Sequence, residues 1–141
     1  GGRPMSTYAQ VHSGIQATIA AHAQAQDDGR VDDMVALYWP DGVVEIPGFP
    51  TLEGADAIRA AFSQPGWRPD PAKPQRHVVT NTVLTEWNDR EAKATSDVVM
   101  LKNDGVGWSV AIVARYHDQF EVSGEHWLLR RRSDEYIGFR P

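Results

Sequence analysis

Residues 76–87 read Arg76-His77-Val78-Val79-Thr80-Asn81-Thr82-Val83-Leu84-Thr85-Glu86-Trp87. Valine and threonine dominate, and β-branched side chains suit a half-buried pleated surface better than a helix. Three more stretches of this character follow, at 91–102, 107–122 and 127–139. They are separated by Asn88-Asp89, Asn103-Asp104-Gly105 and Ser123-Gly124, residue types that favour tight turns. The C-terminal half is therefore expected to be a run of long, hairpin-linked strands.

Upstream the periodicity changes. From about residue 8 to 28, Val11, Ile15, Ile19 and His22 recur at helical intervals, with Gly29 just past the end. A shorter helix is expected over 32–39, stopped by Pro40 and Asp41-Gly42. A short strand at 43–46 and a third helix at 53–62 follow, and then a loop at 64–75 containing four prolines. Helices first and strands afterwards predict an α+β fold, with three N-terminal helices packed on one face of a bent antiparallel sheet. Such a sheet curls around its helices and leaves a cavity suited to a small ligand.

Composition narrows the function classes. The chain has 141 residues, enough for one domain with its own core. Residues 1–4 precede Met5 and read as an expression-tag remnant, leaving 5–141 as a single domain. A net charge of -5 argues against a nucleic-acid partner. The basic run Arg130-Arg131-Arg132 would alternate between the faces of a strand and make no patch. With no cysteine there is neither a disulfide nor a thiolate metal site, and His12, His117 and His126 lack the spacing of a zinc site, so no metal is expected. No apolar run is long enough to cross a membrane, and no signal peptide is visible, so a soluble cytoplasmic protein is expected.

Two segments stand out as chemistry. Gln26-Asp27-Asp28-Gly29 ends the first helix, and His77 opens the first long strand, about fifty positions on. A carboxylate that orients an imidazole and stabilises its protonated form makes a general base near neutral pH. Strand alternation puts His77, Val79, Asn81 and Val83 on one face. On the third long strand it aligns Trp108, Val110, Ile112, Ala114, Tyr116, Asp118 and Phe120. Asp118 is read either as a cavity residue or as a strand-end carboxylate bonded to backbone or arginine. His22 is either a cavity group or a satisfied core histidine. Arg132, if inward, is either a fixed positive charge for a departing anion or half of an ion pair with Asp118 or Asp134.

Several motifs together resemble one family. They are the helix ending in Asp27, Leu37-Tyr38-Trp39-Pro40-Asp41-Gly42-Val43-Val44, and Leu52-Glu53-Gly54-Ala55-Asp56-Ala57-Ile58. His77-Val78-Val79-Thr80-Asn81, Arg115-Tyr116-His117-Asp118 and Trp127 leading into Arg132 complete the set. With these, the chain resembles the SnoaL-like branch of the nuclear transport factor 2-like superfamily from about Val11 to Arg132. That resemblance implies a cone-shaped α+β fold, a bent sheet around three helices. In layout the chain is similar to scytalone dehydratase, the bile acid dehydratase and hexachlorocyclohexane dehydrochlorinase, which eliminate a leaving group with an Asp–His dyad and no cofactor. The resemblance places the dyad on Asp27 and His77 and the leaving-group arginine on Arg132. It also shows departures: His22 stands where the dehydratases have a tyrosine, and Glu45 lies near the position of a cavity tryptophan.

The resulting expectation is a lyase of the dehydratase type acting on a small hydrophobic cyclic substrate. Isomerisation, a cyclase-type proton transfer and a non-catalytic binding domain are the alternatives. Asp27, His77 and Arg132 carry the chemistry; His22, Val79, Asn81, Ile112, Tyr116 and Asp118 bind substrate. Val79, Val83, Ile112 and Tyr116, with Ile15 and Ile19, are expected to line the cavity beside His77. Outward apolar residues, including Val99, Leu101, Ala111 and Val113, predict a homodimer or homotrimer.

Overall fold

The computed structural model describes residues 5–139, so the tag remnant expected at 1–4 lies outside the described residues. The first helix, α1 (Tyr8–Asp27), starts at a capping box. There Thr7 Oγ1 accepts from the Gln10 amide and the Gln10 side chain accepts from the Thr7 amide, at 3.2 and 2.9 Å. Val11, Ile15, Ile19 and His22 form its buried stripe. The helix closes with the Arg30 amide donating to the Ala25 carbonyl at 2.8 Å and the Gly29 amide to that of Gln26 at 3.2 Å. This Schellman turn needs a left-handed residue, and Gly29 supplies φ 72°. It fixes where the last helical residue, Asp27, points.

Next come α2 (Val31–Val35), β1 (Tyr38–Glu45), β2 (Leu52–Glu53) and α3 (Ala55–Phe62). The long strands are β3 (Gln75–Trp87), β4 (Glu91–Asn103), β5 (Trp108–Ser123) and β6 (His126–Phe139). The sheet order is β2-β1-β6-β5-β4-β3. The expected antiparallel sheet is correct for the meander from β3 to β6 and for β1 with β2, but β1 pairs with β6 in parallel. No hairpin joins β1 to β6, so nothing forces their directions to oppose. The sheet is mixed.

The second helix is also shorter than expected. It ends at Val35, and Tyr38, Trp39 and Pro40 belong to β1. Pro40 does not stop a helix here. It lies in the irregular stretch between Tyr38 and Val43, where β1 loses register with β6 and a residue without an N–H forfeits no ladder bond.

The core gathers Val11, Ile15 and Ile19 from α1 with Met34, Val44, Ile58, Leu84, Phe120, Trp127 and Leu129. Burial of each large side chain contributes roughly 1.5–3 kcal/mol. At Gly14 a Cβ would sit 2.4 Å from Trp127 Cδ1, so α1 and β6 meet at a distance only glycine allows. A second, smaller cluster holds Val98, Ala114 and Tyr116, with Val79, Ile112 and Tyr136 packed against it. Among the described residues no helix is long and apolar enough to cross a membrane.

Candidate active site

The Schellman turn delivers Asp27 to the start of β3, where the carboxylate is gripped from three directions. Oδ1 accepts from His77 Nδ1 at 2.6 Å and from Gln75 Nε2 at 3.3 Å, while Oδ2 accepts from the His77 amide at 2.7 Å. Side-chain exposure is only 4% for Asp27 and 9% for His77. A carboxylate can only accept, so Nδ1 of His77 carries the ring proton. Nε2 is then the basic nitrogen, and no protein group bonds it among the described residues. His77 sits on the wall of a cleft of about 300 Å³.

The cleft lies at the end of the concave face where the second cluster replaces the main core. Val98, Met100, Ile112, Ala114 and Tyr116 form its floor. Its mouth is aromatic: Trp67 stands edge-on to both Phe49 and Phe62, with ring centroids 5.0 and 5.1 Å apart. Gln26, Gln75, Lys102, Asp134 and Tyr136 add polar groups. An apolar cavity with a few converging polar atoms is the usual form of a small-molecule site. A depression of about 280 Å³ at the opposite end of the sheet differs, since its cations are paired on the surface, Lys93 with Glu86 and Arg130 with Glu121.

Behind the cleft lies a buried ion pair. Arg132 Nε and Nη2 donate to the two oxygens of Asp118 at 2.8 and 3.0 Å, and the guanidinium carbon lies 3.7 Å from the Tyr116 ring centroid. Burial works against the Arg132 charge, but Asp118 and the surrounding phenols hold the group firmly protonated. Arg132 Nη1 approaches His22 Nδ1 at 3.4 Å, and His22 Nε2 meets the Tyr38 hydroxyl at 2.8 Å. A guanidinium only donates, so Nδ1 accepts and Nε2–H donates to Tyr38. Burial, with Arg132 and His77 nearby, lowers the His22 pKa well below the ordinary value, so this ring stays neutral. Burial likewise raises the Tyr38 and Tyr116 phenols.

The residues expected from sequence therefore separate. Asp27 and His77 come together, and Ile112 and Tyr116 line the cleft beside them. His22, Asp118 and Arg132 form their own closed network and do not border the cleft. Val79 packs between the two clusters, and Ile15 and Ile19 belong to the main core. Asn81 is on the other face, exposed, donating to Asp97 Oδ2 at 3.0 Å. The cause is a bulge between Thr80 and Val83, at which Asn81 takes φ 55°. One extra residue reverses the inside–outside phase, so Thr82 and Leu84 turn inward and Val83 is 52% exposed.

From sequence Asp134 is only a candidate partner for Arg132. Alternation from Arg132 puts it and Tyr136 on the inner face, and both reach the cleft. Burial pushes its carboxyl up to about 6, with Arg132 pulling the other way.

A SnoaL-like domain model matches residues 8–133, nearly all of the folded chain. The chain belongs to the SnoaL-like family. No curated protein matches this SnoaL-like chain by sequence. Solved structures share its fold at low identity. A Novosphingobium aromaticivorans NTF2-like protein with a cystatin-like fold is 21% identical, covering 89% of this chain and 81% of its own, with a TM-score of 0.81. ActVI-ORFA from Streptomyces coelicolor is 20% identical over 90% of this chain and 97% of its own, TM-score 0.80. A third, assigned by inference as a scytalone dehydratase from N. aromaticivorans, is 18% identical over 92% and 86%, TM-score 0.78. The SnoaL-like cone, within the nuclear transport factor 2-like superfamily, is thus the fold.

Proposed function

We propose that this SnoaL-like domain is a cofactor-free lyase that removes a proton from a small hydrophobic cyclic substrate as a leaving group departs. Dehydration of a hydroxylated ring is the foremost form. The observation that carries this reading is the 2.6 Å bond between Asp27 Oδ1 and His77 Nδ1, with the opposite ring nitrogen unpartnered among the described residues and the ring on the border of an apolar cleft. In this reading Nε2 takes the proton. Asp27 keeps the ring in the productive tautomer and stabilises the imidazolium that forms, and its bonds from Gln75 and the His77 amide prevent it from turning away. The neighbour assigned as a scytalone dehydratase supports the reaction class by analogy of fold.

A second reading uses the same base without loss of a group, as in isomerisation or a cyclase-type proton transfer. It is favoured by the position of Arg132, whose charge is spent on Asp118 rather than offered to a departing anion.

The test is proton exchange into 2-tetralone in D2O followed by NMR, a probe that needs a base but no leaving group. Wild-type protein is expected to accelerate exchange, and His77→Ala to lower the rate by roughly 100-fold or more with the fold intact. Asp27→Asn should also be slow, and the double mutant no slower than the worse single one, because the pair acts as one unit. Exchange unaffected by His77→Ala would remove this base. Saturable binding without any exchange would favour a non-catalytic ligand-binding domain.

A further inference from the structure

Among the described residues, one buried side-chain polar atom has no hydrogen-bond partner: Oδ1 of Asp134. An orphan of this kind is rare in a folded protein and needs a reason, because an unmet buried polar group is destabilising. Asp134 lies opposite Tyr116 in the β5–β6 register, in the same cleft wall as Tyr136. Its obvious partner is occupied. Arg132 directs its N–H groups at Asp118 and His22 instead. Asp134 and His77 thus face one cleft from β6 and β3, three strand spacings apart, about 14 Å along the sheet and less across its concavity.

We propose that Asp134 is the general acid of the elimination, holding a proton in the cleft wall and giving it to the hydroxyl that departs as His77 takes a proton from carbon. This rests on the lyase reading above. The step balances within the two residues and the substrate. His77 Nε2 removes the C–H proton, the freed electron pair forms the C=C bond, and the C–O bond breaks. The oxygen leaves as water with the Asp134 proton. The products are the alkene and water, and the imidazolium proton returns to Asp134 through water admitted on product release.

The groups around Asp134 favour a held proton up to about pH 6, so that roughly a tenth of the protein carries it at pH 7. Burial and the Asp118 carboxylate favour the neutral form, and Arg132 and His77 oppose it without reversing the balance. The phenols nearby, Tyr116, Tyr38 and Tyr136, have raised pKa values and stay neutral. The pairing also names a substrate class. A histidine base needs a carbon acid activated by a carbonyl, and a neutral carboxyl serves a poor leaving group such as hydroxide. The substrate is therefore a carbonyl compound bearing a β-hydroxyl, a ring ketone in the lyase reading above.

Two probes that differ only in leaving group test this, 3-hydroxycyclohexanone and 3-(4-nitrophenoxy)cyclohexanone. Hydroxide needs a proton to leave, whereas nitrophenolate does not. Asp134→Asn is expected to slow elimination of water by roughly 100-fold, and to change loss of nitrophenolate by less than about threefold. Equal losses on both probes, or no loss on the hydroxyl probe, overturn the proposal. His77→Ala should slow both; if it slows neither, the lyase reading fails independently of Asp134. The proton itself is read by 13C NMR titration of the aspartate carboxyl carbons, with Asp134 assigned by the signal missing in Asp134→Asn. A midpoint near 6 sustains the held proton, and one at the ordinary 3.8 overturns it whether or not either probe is turned over.

Discussion

Asp118 and Asp134 occupy the β5–β6 hairpin on the two sides of Arg132, and the concave face changes character between them. On the Asp118 side the sheet is packed, with Phe120, Leu129 and Ile15 almost wholly buried. Asp118 is itself sealed in, its two oxygens both taken by Arg132. On the Asp134 side the floor opens into the cleft, and one carboxyl oxygen goes without a partner among the described residues. The same residue type beside the same guanidinium has two fates. A carboxylate whose bonds are all met inside the protein can only hold structure together, and one left short can trade a proton with a ligand.

That contrast can be broken most directly at the packed end. Asp118→Asn would leave Arg132 charged and buried without its counter-ion, a loss of about 3–5 kcal/mol expected in urea denaturation. A loss below about 1 kcal/mol would mean that the closed pair does not hold that end together. At the open end the sign reverses. The folded-state value of Asp134, about 6, lies above the ordinary 3.8, so the unfolded chain releases the proton first. As pH rises between these values the native state is progressively disfavoured. Asp134→Asn should therefore stabilise the protein by up to roughly 3 kcal/mol near pH 7, with the gain disappearing by about pH 4. Parallel denaturation curves for wild type and variant across that range would abolish the distinction between the two carboxylates.

The smallest effect concerns the convex face, which takes no part in this contrast. Val78, Val99 and Val113 fall in one register row across β3, β4 and β5. The homodimer or homotrimer expected from sequence would cover this row. Val78→Lys should then shift light-scattering mass toward the monomer, while monomer stability moves by no more than about 0.5 kcal/mol. A wild-type protein that is monomeric at micromolar concentration would refute the expected assembly.

The sequence was legible wherever a periodic pattern ran undisturbed. The α1 stripe and the four long strands follow from spacing alone, and so does the inward set on β5 from Ile112 to Phe120. Trp108 and Val110, by contrast, lie beyond an irregularity opposite Met100 and Leu101 and are exposed. Asp27 and His77 are singled out by the family resemblance, whose motifs fall at a helix end and a strand start. Errors arose where the count of residues, rather than their type, decides. One inserted residue at the β3 bulge sent Asn81 and Val83 outward, and mid-strand Asn81, a residue that tolerates positive φ, was the available signal. Asp134 was undervalued for a different reason. Its importance lies in a bond it does not make, and that depends on Arg132 having turned to Asp118. The parallel pairing of β1 was hidden because it joins segments far apart in the chain.

The two oxygens of Asp27 have separate tasks. Oδ1 orients the imidazole, while Oδ2 accepts the His77 amide on the outer border of β3, the last strand of the sheet. A bare amide on an outer strand is a point where a neighbouring molecule can add a strand of its own and begin aggregation. The carboxylate that orients His77 therefore also covers this edge amide. A variant that loses this carboxylate frees the imidazole to turn and, at the same stroke, uncovers a place where molecules can stick together.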